Sequence, residues 1–501
     1  MKNSESYLIG IDVGTSGTKA VLFDLDGNAV RSHSCEYPLF QPRNGWAEQN
    51  PEDWWNAAKE CLDALLSPGA SGTERTENVL GIGLTGQMHG LVMLDEACEV
   101  IRPAIIWCDQ RTDAECAKMT KIIGKERLID ITANPALPGF TASKILWVKK
   151  HEPDNYARCR HILLPKDYIR FKLTGVFATD VSDASGMQLM NIAERCWSDE
   201  VLEALGIDRA LLPELFESPE LTGYYNGIPI AAGAGDNAAA ALGTGVAEDG
   251  KAFTTIGTSG VVFAHTSEMK RDRAGRIHTF CCAVPGKWHV MGVTQAAGLS
   301  YHWFRNNFAK ELSYRELDEC AARSPIGANR LLFLPYLMGE RSPHLDSNAR
   351  GVFFGLSGIH TTGDLARAVM EGVSYSLKDC LSVIDEAGIS VTNMAVCGGG
   401  GKSPFWRQML ADLFECPVAV TSSKEGPCLG AAILAGVCAG VYESVEKACS
   451  HIVKTTDNML PIAEHSAAYR KYYPIYQSLY PDLKKDFERL SEADKSDENQ
   501  P

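Results

Sequence analysis

The sequence predicts an α/β protein built as two similar halves. Two observations carry this expectation. The tetrapeptide GTSG occurs at 14–17 and again at 257–260, each time between two β-rich runs. One such repeat could be chance, but the same strand, turn and strand order in both halves makes a duplicated architecture the better reading. Length agrees, because 501 residues exceed one ordinary domain.

In chain order, the first element is the β-rich run YLIGID at 7–12. The turn GTSGT follows, then a second run, KAVLFD, at 19–24. Asp26, Gly27 and Asn28 supply another turn before a third strand, so the chain opens as a meander. Asn50, Pro51, Glu52 and Asp53 read as N-cap, N1 proline and first-turn acids, which predicts a helix over 51–66. The run VLGIGL at 79–84 predicts a buried strand.

In the second half, AFTTI at 252–256 and VVFA at 261–264 flank the second GTSG. Leu365, Val369, Val373, Leu377, Leu381 and Ile384 recur at helical spacing, with Thr361 or Thr362 as cap and Gly388 as stop. MAVC at 394–397 predicts a strand running into four glycines at 398–401. Ser403 and Pro404 then suit N-cap and N1 of a helix through Phe414. The apolar stretch 428–442 is too short to span a bilayer and rich in Ala and Gly, which predicts a buried helix. The polar segment 247–251 divides the halves near residue 248. The expected domains are therefore 1–248 and 249–485, followed by a polar tail at 486–501.

Composition bounds the function. There are 48 basic and 63 acidic residues, a formal charge of −15. That balance argues against a nucleic-acid or anionic-membrane binder, while leaving a phosphate ligand open through backbone N–H groups. The opening segment has one Lys and no apolar core, so no secretory signal is expected. Sixteen scattered cysteines without a C-x-x-C pair read as buried thiols in a reducing, cytoplasmic compartment, and zinc is not expected.

Several motifs could carry chemistry. Each GTSG is either a plain hairpin turn or a phosphate loop, in which Thr15, Ser16 and backbone amides approach phosphate while Asp12 positions a hydrated Mg²⁺. Two such loops plus CGGGG suit a nucleotide held between two halves. Asp236, amid AAGAGDNAAAALG, is either a base for a hydroxyl proton or, with Asn237, an N-cap. A helix N-terminus would lower the pKa of this carboxylate and keep it ionised. In GQMHG, Gln87 and His89 offer hydrogen bonds to a polyol and Met88 an apolar wall. Trp107, in WCDQR, begins either a ligand contact or a solvated helix.

Ten motifs in this order resemble the FGGY carbohydrate kinases: GIDVGTSGTKAV, GLTGQMHG, IIWCDQRT, LPGFTASK, LLPKDYIR, TDVSDASG, GAGDNAA, TIGTSG, FLPYLMGERSPH and CGGGGKSPFWRQMLAD. The resemblance extends over about 7–480. It implies a two-domain actin-like ATPase fold, ribonuclease H-like, with a deep interdomain cleft. It also implies ATP- and Mg²⁺-dependent phosphorylation of a sugar hydroxyl, and for the family's ketopentose kinases the 5-hydroxyl of D-xylulose. By motif position it implies that Asp236 is the catalytic base and that Asp12 lies near the metal. Thr15, Ser16 and Lys19 match the first phosphate loop; Thr258 and Ser259 match the second. Gly399, Gly400 and Ser403 match the adenosine motif, and Gly298 a further nucleotide position. Met88 and His89 resemble the substrate pair, with Asn237 after the base and Trp107 nearby.

Two departures push away from glycerol: Met88-His89 stands where glycerol kinases carry Arg-Glu, and Asn237 where they carry Gln. Cys108 and Gln110 depart from the Asn and Gly of some ketopentose kinases and leave the sugar open. L-ribulose, L-xylulose, a deoxy sugar or gluconate remain as alternatives, as does a non-catalytic ATP-binding regulator on the same fold. Dimers occur among such kinases, but the sequence shows no legible homodimer interface.

Overall fold

A computed structural model describes residues 6–67, 78–423 and 425–493. The opening meander forms as its β-rich runs and turn residues require. Tyr7–Val13 (β1) pairs antiparallel with Gly17–Asp24 (β2), placing Asp12 opposite Lys19. Ala29–Glu36 (β3) continues the meander, and its far side is solvated. Pro51–Leu66 (α1) packs on β2 and β3, with Asn50 accepting from the Glu52 amide as its cap.

Val79–Gly86 (β4) runs parallel to β1. Leu221–Tyr225 (β5), Ile228–Ala231 (β6) and Ala234–Gly235 (β7) complete the sheet, in the order β5-β6-β4-β1-β2-β3 with β7 also beside β4. The second half repeats the plan. Its sheet comprises Lys251–Ile256 (β8), Gly260–Thr266 (β9), His278–Cys281 (β10), Trp288–Thr294 (β11), Asn393–Cys397 (β12), Val418–Thr421 (β13) and Thr455–Met459 (β14). Their order is β10-β11-β9-β8-β12-β13-β14. Each GTSG therefore closes an antiparallel hairpin whose first strand also has a parallel neighbour.

Helices from both halves support these sheets. Thr141–His151 (α2) and Pro165–Thr174 (α3) belong to the first half, and Asp236–Gly243 (α4) follows β7 directly. In the second half Thr362–Glu386 (α5) starts at a Thr361 capping box with Asp364, and Gly388 follows it at φ +81°. Gly426–Cys438 (α6) is the Ala/Gly-rich helix expected at 428–442. It stops at Cys438 because Gly440 turns the chain at φ +71°.

α6 joins the halves. It lies on β1 and β4 of the first sheet and against α4. Only missing side chains permit this approach. A Cβ on Gly10 would sit 1.8 Å from the Cys428 carbonyl oxygen, and one on Gly83 would sit 1.9 Å from that of Ala431. The helix answers in kind, since a Cβ on Gly430 would lie 1.9 Å from the Ala239 carbonyl oxygen.

Pro404–Phe414 (α7) begins at the Ser403 cap, whose hydroxyl accepts from the Trp406 amide. Ala463–Ala493 (α8) extends through 486–493, where the sequence predicts a polar tail, because Phe487 is buried against the second core. Residues 494–501 lie outside the described residues. All sixteen cysteines are free thiols. Among the described residues no helix is long and apolar enough to cross a membrane.

Candidate active site

Sheet register brings the two expected acids together. Thr85 on β4 has Asp12 beside it on β1 and Ala234 beside it on β7. Two residues after Ala234 the chain enters α4, so Asp236 rises next to Asp12. Oδ1 of Asp236 accepts the Asn237 amide at 2.7 Å and the Asn237 side-chain Nδ2 at 2.9 Å. The cap of α4 is Gly235, and Asp236 is its first residue, so neither acid nor amide caps the helix. Burial raises the Asp236 pKa to about 6, and the two Asn237 donors only partly offset it. The lowering expected from the helix terminus is thus overturned, because desolvation outweighs it.

Asp12 is pushed up to about 7, by burial first and then by the Asp236 charge, against the opposing pull of Lys19. With two donors already on its carboxylate, Asp236 ionises first, and the mutual repulsion falls on Asp12. Oδ1 of Asp12 is buried and has no hydrogen-bond partner.

The first GTSG is a loop with its carbonyls tied down. The Gly14 amide bonds the Gly17 carbonyl at 3.0 Å. The Gly14 carbonyl accepts Tyr37 Oη at 2.5 Å and Gln87 Nε2 at 3.3 Å, and the Thr15 carbonyl accepts Gln49 Nε2 at 2.7 Å. Trp107, exposed above the loop, donates its indole N–H to Thr15 Oγ1 at 2.9 Å. It lies in a turn, and the nearest helix begins only at Asp113. Among the described residues, the Thr15 and Ser16 amides have no acceptor. Lys19 is paired at 2.5 Å with Glu425, the residue before α6, across the two halves.

The second GTSG has the same character. Gly257 N–H bonds the Ser259 carbonyl at 3.1 Å, while the amides of Thr258 and Ser259 have no acceptor among the described residues. Gly298 docks directly on this loop, its amide 2.7 Å from the Gly257 carbonyl oxygen. A Cβ on Gly298 would lie 2.5 Å from that same oxygen, so only glycine fits. The glycines at 398–401 cross the end of β8: a Cβ on Gly400 would meet Ile256 at 2.4 Å, whereas one on Gly399 would meet nothing within 4 Å. Gly298 and Gly400 therefore meet at the second loop and the strand end before it, and the Ser403 amide bonds the Gly400 carbonyl at 3.1 Å.

The side expected to meet a polyol is built around His89 and not around Gln87. Gln87 turns to the first loop instead, bonding Gly14 and, at 2.9 Å, Gln49. His89 sits at φ +69°. Its carbonyl is held by Lys144 Nζ at 2.9 Å and Thr141 Oγ1 at 3.0 Å, both on α2. Its ring Nδ1 lies 3.0 Å from the Gly186 carbonyl. Burial, then Lys144, holds the imidazole well below its ordinary pKa, so it is neutral. A neutral ring facing a carbonyl must donate from Nδ1, which leaves Nε2 an acceptor for a hydroxyl. Phe140 from the first half and Phe280 from the second pack around the ring, centroids at 4.5 and 6.2 Å. Met88 is buried against Gly235, where a Cβ would lie 2.9 Å from its sulfur.

Beneath the site lies a wholly buried ionic cluster. Lys166 on α3 reaches Asp167 at 2.6 Å, Asp180 at 2.7 Å and Asp183 at 3.3 Å. Asp180 accepts the Ser182 hydroxyl at 2.5 Å, and that hydroxyl accepts the Gly235 amide at 3.2 Å. The residue before Asp236 is thereby anchored. Sequence reading missed this cluster along with Gln49, Tyr37 and Lys144; motifs TDVSDASG, LLPKDYIR and LPGFTASK held part of the signal. Two surface cavities, of about 220 and 350 Å³, lie elsewhere, around 161–163 and 210–214 and around 322–326 and 405–412.

Comparison with known proteins identifies the family. The model of the FGGY carbohydrate kinase N-terminal domain matches residues 7–243, and that of the C-terminal domain matches 252–439. The chain is 40% identical to a xylulose kinase of Bacillus subtilis over 485 residues, covering 95% of this chain and 96% of that one. Among solved structures it is similar to the ligand-bound xylulose kinase from Lactobacillus acidophilus, with 27% identity, a TM-score of 0.91 and coverage of 97% and 100%. A gluconate kinase structure from the same organism matches with the same values. The chain belongs to the FGGY family of carbohydrate kinases and is a phosphotransferase acting on a sugar hydroxyl.

Proposed function

We propose that the chain transfers the γ-phosphoryl group of ATP to the 5-hydroxyl of D-xylulose, with Asp236 as base. One observation supports this reading: a buried carboxylate with a raised pKa stands beside a second acid at the first GTSG loop, whose Thr15 and Ser16 amides have no acceptor among the described residues. We divide the chain near residue 248, with the sugar side and first loop before it and the second loop and adenosine side after it. The sugar contacts Met88, His89, Asp236 and Asn237, with Trp107 at the rim. Phosphates lie along Thr15, Ser16 and Lys19 and along Thr258 and Ser259. Adenosine lies against Gly298, Gly399, Gly400 and Ser403. Lys19 must exchange Glu425 for phosphate to do so. The reducing cytoplasm suits sixteen free thiols.

Asp236 takes the hydroxyl proton as the sugar oxygen forms its bond to the γ-phosphorus and the bond to the ADP oxygen breaks. Loop amides meet the charge on the transferring group. The residues also fit a divalent cation, since the orphaned Asp12 Oδ1 is an unmet oxygen donor beside a second carboxylate. Bound there, Mg²⁺ would neutralise phosphate charge. Asp12→Asn is expected to raise the Mg²⁺ required for half-maximal activity by about 10–100-fold. An unchanged Mg²⁺ titration would remove Asp12 from this role.

The equal structural likeness to a gluconate kinase makes gluconate the first competitor among the alternative substrates. A coupled ADP-release assay over D-xylulose, L-ribulose, L-xylulose, glycerol and gluconate separates them, with the product's phosphate position read by NMR. D-xylulose is expected to give the highest kcat/KM and a 5-phosphate. Preference for gluconate would replace the substrate, and ATP binding without any sugar phosphate would favour a regulator.

A further inference from the structure

Among the described residues most buried arginines meet a carboxylate, and the buried Lys144 is held by the carbonyls of His89 and Gly139. Arg111 reaches Asp109 at 2.6 Å and Arg367 reaches Glu371 at 2.7 Å. Arg341, within the motif FLPYLMGERSPH, is half-buried, and its guanidinium makes no ion pair or hydrogen bond among the described residues. Even partial desolvation of an unpaired guanidinium costs stability, and a group in this state is free to meet an anionic ligand.

The backbone around Arg341 is clamped to the second phosphate loop. The Ser342 amide bonds the Val293 carbonyl at 2.9 Å, and the Val293 amide bonds Ser342 Oγ at 3.1 Å. Glu340 accepts Thr294 Oγ1 at 2.6 Å, the Gln295 amide at 2.9 Å and the Arg341 amide at 2.7 Å. Thr294 in turn faces Gly260, the last residue of the second GTSG. Glu340 is thus occupied by other donors and is itself pushed up to about 7 by burial, which makes it a poor counter-ion for its neighbour. On its other side the guanidinium acts on the sugar pocket. Its charge bears on His89, His278 and Cys108, after larger effects of burial at each. Arg341 therefore sits on a segment tied to the strand beside the second loop, with its charge felt at the histidine.

We propose that Arg341 is a catalytic residue that binds the phosphoryl group as it passes from nucleotide to sugar. The inference rests on the sugar-kinase reading of the site. As the sugar oxygen bonds to phosphorus and the ADP oxygen leaves, the guanidinium donates hydrogen bonds to the non-bridging oxygens and forms no covalent bond. A phosphoryl group is the ligand whose charge the site lacks; a neutral sugar would leave the cation uncompensated.

The test is steady-state kinetics of the full chain and of Arg341→Ala, Arg341→Met and Arg341→Lys, with D-xylulose and ATP, alongside thermal melting. The kcat of the Ala and Met variants should fall about 10²–10³-fold while the sugar KM moves less than about threefold. Lys should recover part of the loss. The Ala or Met variant should melt no lower than the parent, because the charge removed is unpaired and half-buried. A kcat within threefold of the parent, a loss confined to the sugar KM, or a fall in melting temperature parallel to the fall in kcat would overturn the proposal. Activity of the parent on D-xylulose with full activity of Arg341→Met would overturn it alone; a parent inactive on every sugar would overturn the kinase reading with it.

Discussion

Replacement of Asp236 by asparagine is expected to lower kcat about 10²–10⁴-fold while leaving nucleotide binding intact. Asparagine keeps the volume and the first-turn position but cannot take a proton. The pH profile makes the test specific. A base must be ionised, and the Asp236 pKa is about 6. Log kcat/KM for the parent should therefore rise with pH and level off above about 6, and the variant's residual rate should lose that limb. A profile flat between pH 5 and 8 in the parent would deny Asp236 the role.

The same shift has a stability consequence of known sign. Both Asp12 and Asp236 have folded pKa values above the ordinary carboxylate value. The folded state thus holds these protons more tightly than the unfolded chain. Their contribution is fully present below about pH 4 and is lost as pH rises through about 6 to 7. Asp236→Asn should accordingly melt higher than the parent at pH 8, with the gap closing toward pH 4. Equal melting temperatures at pH 8 would show that the ligand-free site carries no such burden. The site holds this cost because the reaction needs a desolvated base.

Much of this architecture is legible in the sequence because its signals are local. Asn50 and Pro51 open α1, Thr361 and Gly388 bracket α5, and Ser403 opens α7, each through contacts within a few residues. Asp236 stands out by its small neighbours, and the two GTSG loops by their repetition. What escapes depends on partners far apart in sequence. Gln49 and Tyr37 serve the first loop from more than twenty residues away, and Lys144 fixes His89 across 55 positions. Arg341 is notable only for having no partner, which no local pattern reveals. The pKa of Asp236 goes the other way because a helix terminus can be read from sequence and desolvation cannot. Gln87 reads as a sugar contact for a similar reason: only the fold shows it turned toward Gly14.

The glycines between the halves give the largest expected effect on folding. Gly83→Ala would place a methyl group 1.9 Å from the Ala431 carbonyl oxygen, where the obstacle is helix backbone and no side chain can swing aside. α6 must lift from the sheet, or β4 must shift and carry Gln87, Met88 and His89 with it. Loss of at least about 3 kcal/mol of stability is expected, at the upper end for overpacking. Gly81→Ala grades the argument, since its methyl would meet the Ala435 carbonyl oxygen at 2.8 Å. Gly399→Ala supplies the control from the nucleotide side, because nothing lies within 4 Å of its added carbon. Melting temperatures should therefore fall most for Gly83→Ala, less for Gly81→Ala and little for Gly399→Ala. If Gly83→Ala melted like the parent, α6 could not rest on β4 as described. Because α4, which begins with Asp236, packs on the same helix, a displaced α6 should also cost activity in the first two variants.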